Sequence, residues 1–245
     1  QLPISMLVTA WFEAKRSTMM SIAMAGGSDA AKHAAQLTLL SADFACLPLV
    51  VGEGRRVINN ITRAASLFLV KNIFSLLLSL VLLALPFAYP FAPIQLTLVS
   101  TLTVGFPSFV LALQPNRERV RGSFLRNVIT RALPGGLCVT LLCTAVMLLS
   151  GPMGYSGEVC AALCTLAAAV SGYVTLLLTC LPLDRIRAVL LALVAAALAV
   201  CVLFLPGLFY LVPLSADQLL VLAGCAVASV PLQVGLAALI RGRKK

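Results

Sequence analysis

Residues 94–113 read IQLTLVSTLTVGFPSFVLAL, an apolar run interrupted by hydroxyls and by Gly105-Phe106-Pro107 near its middle. Proline has no backbone N–H, so Pro107 leaves the carbonyl of Thr103, four residues earlier, without its helical partner. A freed carbonyl inside a bilayer is tolerated where it lines a cavity or binds a cation. Ser100, Thr101 and Thr103 add hydroxyl oxygens over the same two turns. On the preceding apolar run, Asn72 and Ser75 stand three residues apart and can share a helix face. Such a set offers coordination of a cation by neutral oxygen. These five side chains, with the helix break at Gly105 and Pro107, are the candidate ion path. A second reading stays open beside it: serine and threonine also pack membrane helices together, and prolines occur in many of them.

The elements that must position these residues can be read from composition. The chain has 245 residues, 61% of them hydrophobic and 11% charged, with a mean hydropathy of +1.05. A soluble domain carries about a quarter charged residues, so this chain is too poor in charge to cover itself in water. Crossing a bilayer takes about 20 apolar residues per helix. Six runs qualify, at 67–88, 94–113, 132–152, 159–181, 188–209 and 218–240, with a loop expected around Pro206 and Pro213. No Asp or Glu lies inside any of these runs, and the metal that a site here would take is not legible from them.

The net charge of +10 raises nucleic acid as a partner, but its placement argues against it. Arg117, Arg119, Arg121, Arg126 and Arg131 follow the second run, and Arg185 and Arg187 follow the fourth. Arg241, Arg243, Lys244 and Lys245 follow the sixth, and Arg55, Arg56 and Arg63 precede the first. The alternate loops near 89–93, 151–158 and 210–217 hold no Lys or Arg. This is the positive-inside pattern of a multi-pass protein of the cell membrane with both termini in the cytoplasm.

Seven of eight cysteines, Cys138, Cys143, Cys160, Cys164, Cys180, Cys201 and Cys225, lie in or at the ends of apolar runs and read as packing residues. Lys71 is the one charge well inside a run. It either snorkels toward water or serves as an internal cation beside a partner. His33 is the only histidine and makes no metal site by itself.

Ahead of the apolar runs, residues 22–44 read IAMAGGSDAAKHAAQLTLLSADF. IAMA reads as a strand, Gly26 and Gly27 as a turn, and Ser28 or Asp29 as the cap of the helix DAAKHAAQ. LTLLS reads as a second strand, and Asp43 caps the next helix. Strand–helix–strand–helix is one unit of a parallel α/β sheet and cannot bury both its faces alone. The fold class is therefore mainly α, a six-helix transmembrane bundle preceded by an incomplete α/β, Rossmann-like domain edge. Residues 55–85 contain no Gly or Pro and as one helix reach roughly 46 Å, against a hydrocarbon core of about 30 Å. Such a rod either transmits movement from a soluble domain or is an ordinary long helix with a solvated basic end.

The run IAMAGGSDAAKHAAQLTLLSADF, followed by EGRRVINNI and an apolar helix, resembles the P-type cation-transporting ATPases, in which GIAMGxxGSDAA, ADxVLxDDDF and GRxxxxNI close the phosphorylation domain and enter the fifth transmembrane helix. Positions 22–30, 43–44 and 54–61 carry the match, and STLTVGFPSFVLALQPN is most similar to a bacterial branch that includes calcium pumps. The resemblance covers residues 22–245. It implies that residues 22–54 end a phosphorylation domain, with Gly27, Ser28, Asp29 and Asp43 on the family motif. It further implies that 55–88 are stalk and first transmembrane helix, and that 89–245 hold five further helices, together family helices five to ten. Capping explains Asp29 and Asp43 equally well.

The family's DKTGT and TGE motifs are absent, and GDGxND does not stand upstream of Ile22. Residues 1–21, with Trp11, do not match, and the expectation is that they arise from a frame shift, a wrong gene boundary or a fragment. The family's NxxTD ligand pattern is replaced by STLTV. What the resemblance implies is the transport-domain part of an ATP-driven cation pump, inactive alone. ATP and Mg²⁺ would act in the intact pump, calcium is the suggested cargo, and the partners are the lipid bilayer and the missing N-terminal part. The alternatives are an independent six-span channel, transporter or scaffold, and a regulatory remnant.

Overall fold

A computed structural model of the chain describes residues 22–24, 30, 33, 37–39, 45, 47–114, 116, 118–119 and 122–242. Residues 1–21, Gly27, Ser28, Asp29, Asp43 and Cys46 lie outside that set. The chain divides into two units, residues 1–54 and 55–245.

In the first unit, β1 (Ile22–Met24) and β2 (Leu37–Leu39) pair in parallel, with Ile22 opposite Leu37 and Met24 opposite Leu39. A parallel pair needs a crossover of about a dozen residues. Residues 25–36 make that connection here, and Ala30 and His33 within it are helical and exposed.

The second unit is helical. Helix α1 (Leu47–Ala84) begins in the first unit and ends just before Leu85-Pro86, where proline disfavours helical backbone in the residue ahead of it. The sequence placed its start near residue 55. Instead the helix passes through Gly52 and Gly54, and its 38 residues make about 57 Å of rod. After Phe91 the chain turns into α2 (Pro93–Ser100), with proline at its first position and Gln95 Oε1 accepting from the Ala92 N–H at 3.0 Å. One π-helical turn, Thr101–Gly105, joins α2 to α3 (Phe106–Ala112).

Four helices complete the chain: α4 (Phe124–Ser150), α5 (Gly157–Cys180), α6 (Arg185–Phe204) and α7 (Ala216–Gly242). Helix α4 starts eight residues ahead of the expected 132, because its first two turns carry Arg126 and Arg131 and lower the local hydropathy. Gly122, at φ +75°, makes the turn that leads into it, a backbone conformation open to glycine. Helix α6 stops at Phe204, short of Pro206. Six helical segments among the described residues are long and apolar enough to cross a membrane.

The core lies where α4, α5 and α7 meet α1. Cys138, Val139, Cys143, Val146 and Met147 of α4 pack with Leu163, Cys164, Ala167 and Ala168 of α5, with Phe74 and Leu78 of α1, and with Cys225 of α7. A Cβ on Gly136 would lie 2.5 Å from Ile73 Cγ2, so α1 approaches α4 as closely as glycine permits. Seven cysteines are free thiols, five of them buried. Burial falls away outward: 61% and 67% of the apolar windows of α4 and α5 are buried, against 22%, 17% and 17% in α1, α6 and α7.

Candidate functional site

The π-turn is the local event around which the site forms. The Phe106 N–H bonds the Thr101 carbonyl, five residues back, and so is not available to Leu102. Pro107 has no N–H for Thr103. Two successive carbonyls, Leu102 and Thr103, therefore lose their usual α-helical partners, where the sequence alone pointed to one. Gly105 tolerates this backbone, and a Cβ there would meet nothing nearer than the Ser100 carbonyl at 3.7 Å.

A cavity of about 20 Å³ opens between the π-turn, α1 and α5, close to the room one water molecule needs. Its polar lining is Lys71 of α1, Ser100 and Thr103 beside the break, and Thr175 of α5; Val70, Phe74, Val99, Val104 and Gly172 are among its apolar walls. Helix α5 reaches the π-turn through Gly172, where a Cβ would stand 2.9 Å from Thr103 Oγ1. Each hydroxyl is tied to its own helix. Ser100 donates to the Leu96 carbonyl at 2.5 Å, Thr103 to Val99 at 2.7 Å and Thr175 to Ser171 at 2.9 Å.

Of the five predicted side chains, Ser100 and Thr103 come together at this cavity. Thr101 is exposed, on another side of the turn. Asn72 is exposed, and Ser75 is half-buried and shares a 3.4 Å hydrogen bond with the Tyr89 hydroxyl. Sequence reasoning missed Gly172, Thr175 and Gln233. The available signal was Gln233 itself, an amide deep in an apolar run, since polar groups at membrane depth mark functional positions.

A second polar assembly sits at the Arg-rich end of the bundle and ties α1 to the segment after α3. Asn60 Nδ2 donates to the Ala112 and Gln114 carbonyls at 2.7 and 2.9 Å. Asn59 Nδ2 donates to the Glu118 carbonyl at 2.9 Å and the Asn116 carbonyl at 3.3 Å. Arg187 extends the tie to α6, donating to Gln114 Oε1 at 2.9 Å and to the Pro182 carbonyl at 2.9 Å. These bonds satisfy carbonyls that end a helix and would otherwise be orphaned. Arg63, read from sequence as part of a solvated basic end, is 8% exposed here because it packs in this junction. No group of three His, Cys, Asp or Glu that could hold a metal occurs among the described residues.

No protein-family model matches the chain. Among curated proteins, the calcium-transporting ATPase CtpE of Mycolicibacterium smegmatis is 44% identical over 137 residues, 51% of this chain and 17% of that protein. The calcium-transporting ATPase CtpE of Mycobacterium bovis is 46% identical over 130 residues, 49% of this chain and 16% of that protein. The "Probable cation-transporting ATPase exp7" of Streptococcus pneumoniae serotype 4 is 35% identical over 187 residues, 73% of this chain and 24% of that protein. The chain thus spans 24% or less of the length of these three relatives.

Proposed function

Its homologues are calcium- and cation-transporting P-type ATPases, matched in their C-terminal transmembrane region, and on that premise we propose that this chain is the ion-conducting portion of an ATP-driven cation pump. It is a multi-pass membrane protein with six membrane-capable helices. The homology does not favour an independent six-span channel or scaffold.

The observation that carries the proposal is the break at Thr101–Gly105, with neutral oxygens gathered on a small cavity in mid-membrane. Carbonyls and hydroxyls of this kind are hard ligands suited to a hard cation. Calcium is the cargo named for two of the relatives. It takes several carboxylates, which in this proposal come from the upstream part of the pump. Asn72 and Ser75 lie on a face of α1 left for that part, and Thr101 stands on the π-turn.

The mechanical half of the proposal starts from α1, whose length exceeds the roughly 30 Å hydrocarbon core. In the proposed pump its base, Leu47–Gly54, continues from a phosphorylation-domain edge that includes β1, β2 and the motif residues Gly27, Ser28, Asp29 and Asp43. Movement of that base draws on the Ala112–Glu118 segment through Asn59 and Asn60. The pull reaches α3 and the π-turn, where it changes the cavity. ATP and Mg²⁺ belong to the intact pump. The described residues offer no group for them, and DKTGT is absent from the sequence, so no nucleotide step is assigned to this chain. Both termini face the cytoplasm in this proposal, by the arginine distribution.

The test is phosphorylation. The purified chain with radiolabelled ATP and Mg²⁺ forms no acid-stable phosphoenzyme. The same chain expressed with the upstream pump sequence forms one, in a cation-dependent manner. A phosphoenzyme on this polypeptide alone, or none in the combined protein, contradicts the proposal.

A further inference from the structure

Gln233 of α7 is 1% exposed and has every polar atom occupied. Its Nε2 donates to the Ser171 carbonyl at 2.9 Å and to Ser171 Oγ at 3.0 Å, and its Oε1 accepts from Thr175 Oγ1 at 3.1 Å. A hydroxyl has one proton. That of Thr175 goes to Gln233 or to the Ser171 carbonyl, and both lead away from the cavity. The protons of Ser100 and Thr103 go to the Leu96 and Val99 carbonyls. All three oxygens are therefore left to act as acceptors where they line the cavity. The remaining polar group on that lining is the ammonium of Lys71, a triple donor. No hydrogen bond or ion pair joins it to another described residue.

We infer that this cavity is an acceptor-only site whose resident donor is the chain's own Lys71 ammonium, and that Gln233 is a positioning residue for it. The size fits, because an ammonium head is close to a water molecule and the space is about 20 Å³. The polarity fits as well: neutral acceptors satisfy a cation's donors without a carboxylate, of which the described cavity lining has none. Gln233 acts through Thr175 and Ser171, holding α5 so that Gly172 stays against Thr103. A free cation reaches Thr103 by displacing Lys71. This goes beyond the pump proposal, since it requires neither nucleotide nor an upstream partner.

The experiment uses the full chain, labelled with ¹⁵N-lysine, in nanodiscs. Lys71 is expected to give an ammonium signal whose protons exchange more slowly than those of the other lysines. The signal disappears in Thr175→Val and in Gln233→Leu, although Gln233 does not line the cavity. A merely structural glutamine would lower Tm and leave the Lys71 signal in place. In parallel, Lys71→Met is unfolded thermally in ammonium chloride and in tetramethylammonium chloride at equal concentration. Its Tm rises in the ammonium salt only, while that of the unaltered chain is the same in both. Fast exchange of Lys71 in the unaltered chain, survival of its slow signal in Gln233→Leu, or a salt-independent Tm in Lys71→Met overturns the inference. Should Lys71→Met fail to fold, the exchange measurement decides alone.

Discussion

Helices α2–α3 and α4 each carry a proline in their interior, and the two respond differently. Helix α4 runs unbroken through Pro134 from Phe124 to Ser150. At Pro107 the backbone widens into a π-turn. The carbonyl freed by Pro134 is that of Thr130, next to Arg131 at the charged end of α4, where water is within reach. Just beyond it, Gly135 and Gly136 let Val70, Ile73 and Thr175 press on the helix and hold it straight. Pro107 frees a carbonyl in mid-span, and the helix accommodates that with a change of register facing a cavity. The lesson is that a proline becomes a site where its orphaned carbonyl is too deep for water and a neighbouring helix leaves room.

This contrast can be broken, most forcefully at the prolines themselves. Pro107→Ala returns an N–H to Thr103 and is expected to stabilise the chain by up to ~3 kcal/mol while closing the π-turn. Pro134→Ala shifts stability and leaves the turn in place. Thermal unfolding measures the first effect, and amide exchange at Leu102–Ser108 the second.

A smaller effect is expected at the glycines. Gly136→Ala forces a Cβ to within 2.5 Å of Ile73 and costs about 1–3 kcal/mol by overpacking. Gly105→Ala meets only ordinary contact and changes stability by about 1 kcal/mol or less, with the sign set by helix propensity. Equal losses at both positions in a denaturant titration would mean that the π-turn is as tightly packed as α4.

The smallest shift separates the two groups of asparagines on α1. Asn60→Ala removes two bonds from the segment after α3 and costs about 1 kcal/mol. Asn72→Ala, on an exposed face, stays within about 0.5 kcal/mol. If α1 and α3 are coupled as proposed, Asn60→Ala also raises amide exchange in Phe106–Ala112, and Asn72→Ala does not.

Much of this architecture was legible in the sequence. Hydropathy and charge located the apolar helices, and Gly105-Phe106-Pro107 announced the break. The start of α4 was not legible, since Arg126 and Arg131 hide two helical turns from a hydropathy reading. Nor was the start of α1, which runs through Gly52 and Gly54 despite their low helix propensity. The π-register was hidden because it depends on Gly172 of another helix meeting Thr103. Thr175 and Gln233 escaped for the same reason: periodicity shows which residues share a face of one helix, not which helix that face meets. The Asn59–Asn60 pair was read only as part of a motif, and its role in capping the carbonyls after α3 became visible with the packing.

The most direct test of the account is cation uptake into vesicles carrying the chain together with the upstream pump sequence. Radiolabelled calcium is followed with and without ATP in the unaltered protein, in Pro107→Ala and in Pro134→Ala. The account predicts ATP-driven uptake that Pro107→Ala abolishes, with folded protein still present, and that Pro134→Ala retains. Equal uptake in all three proteins would contradict it.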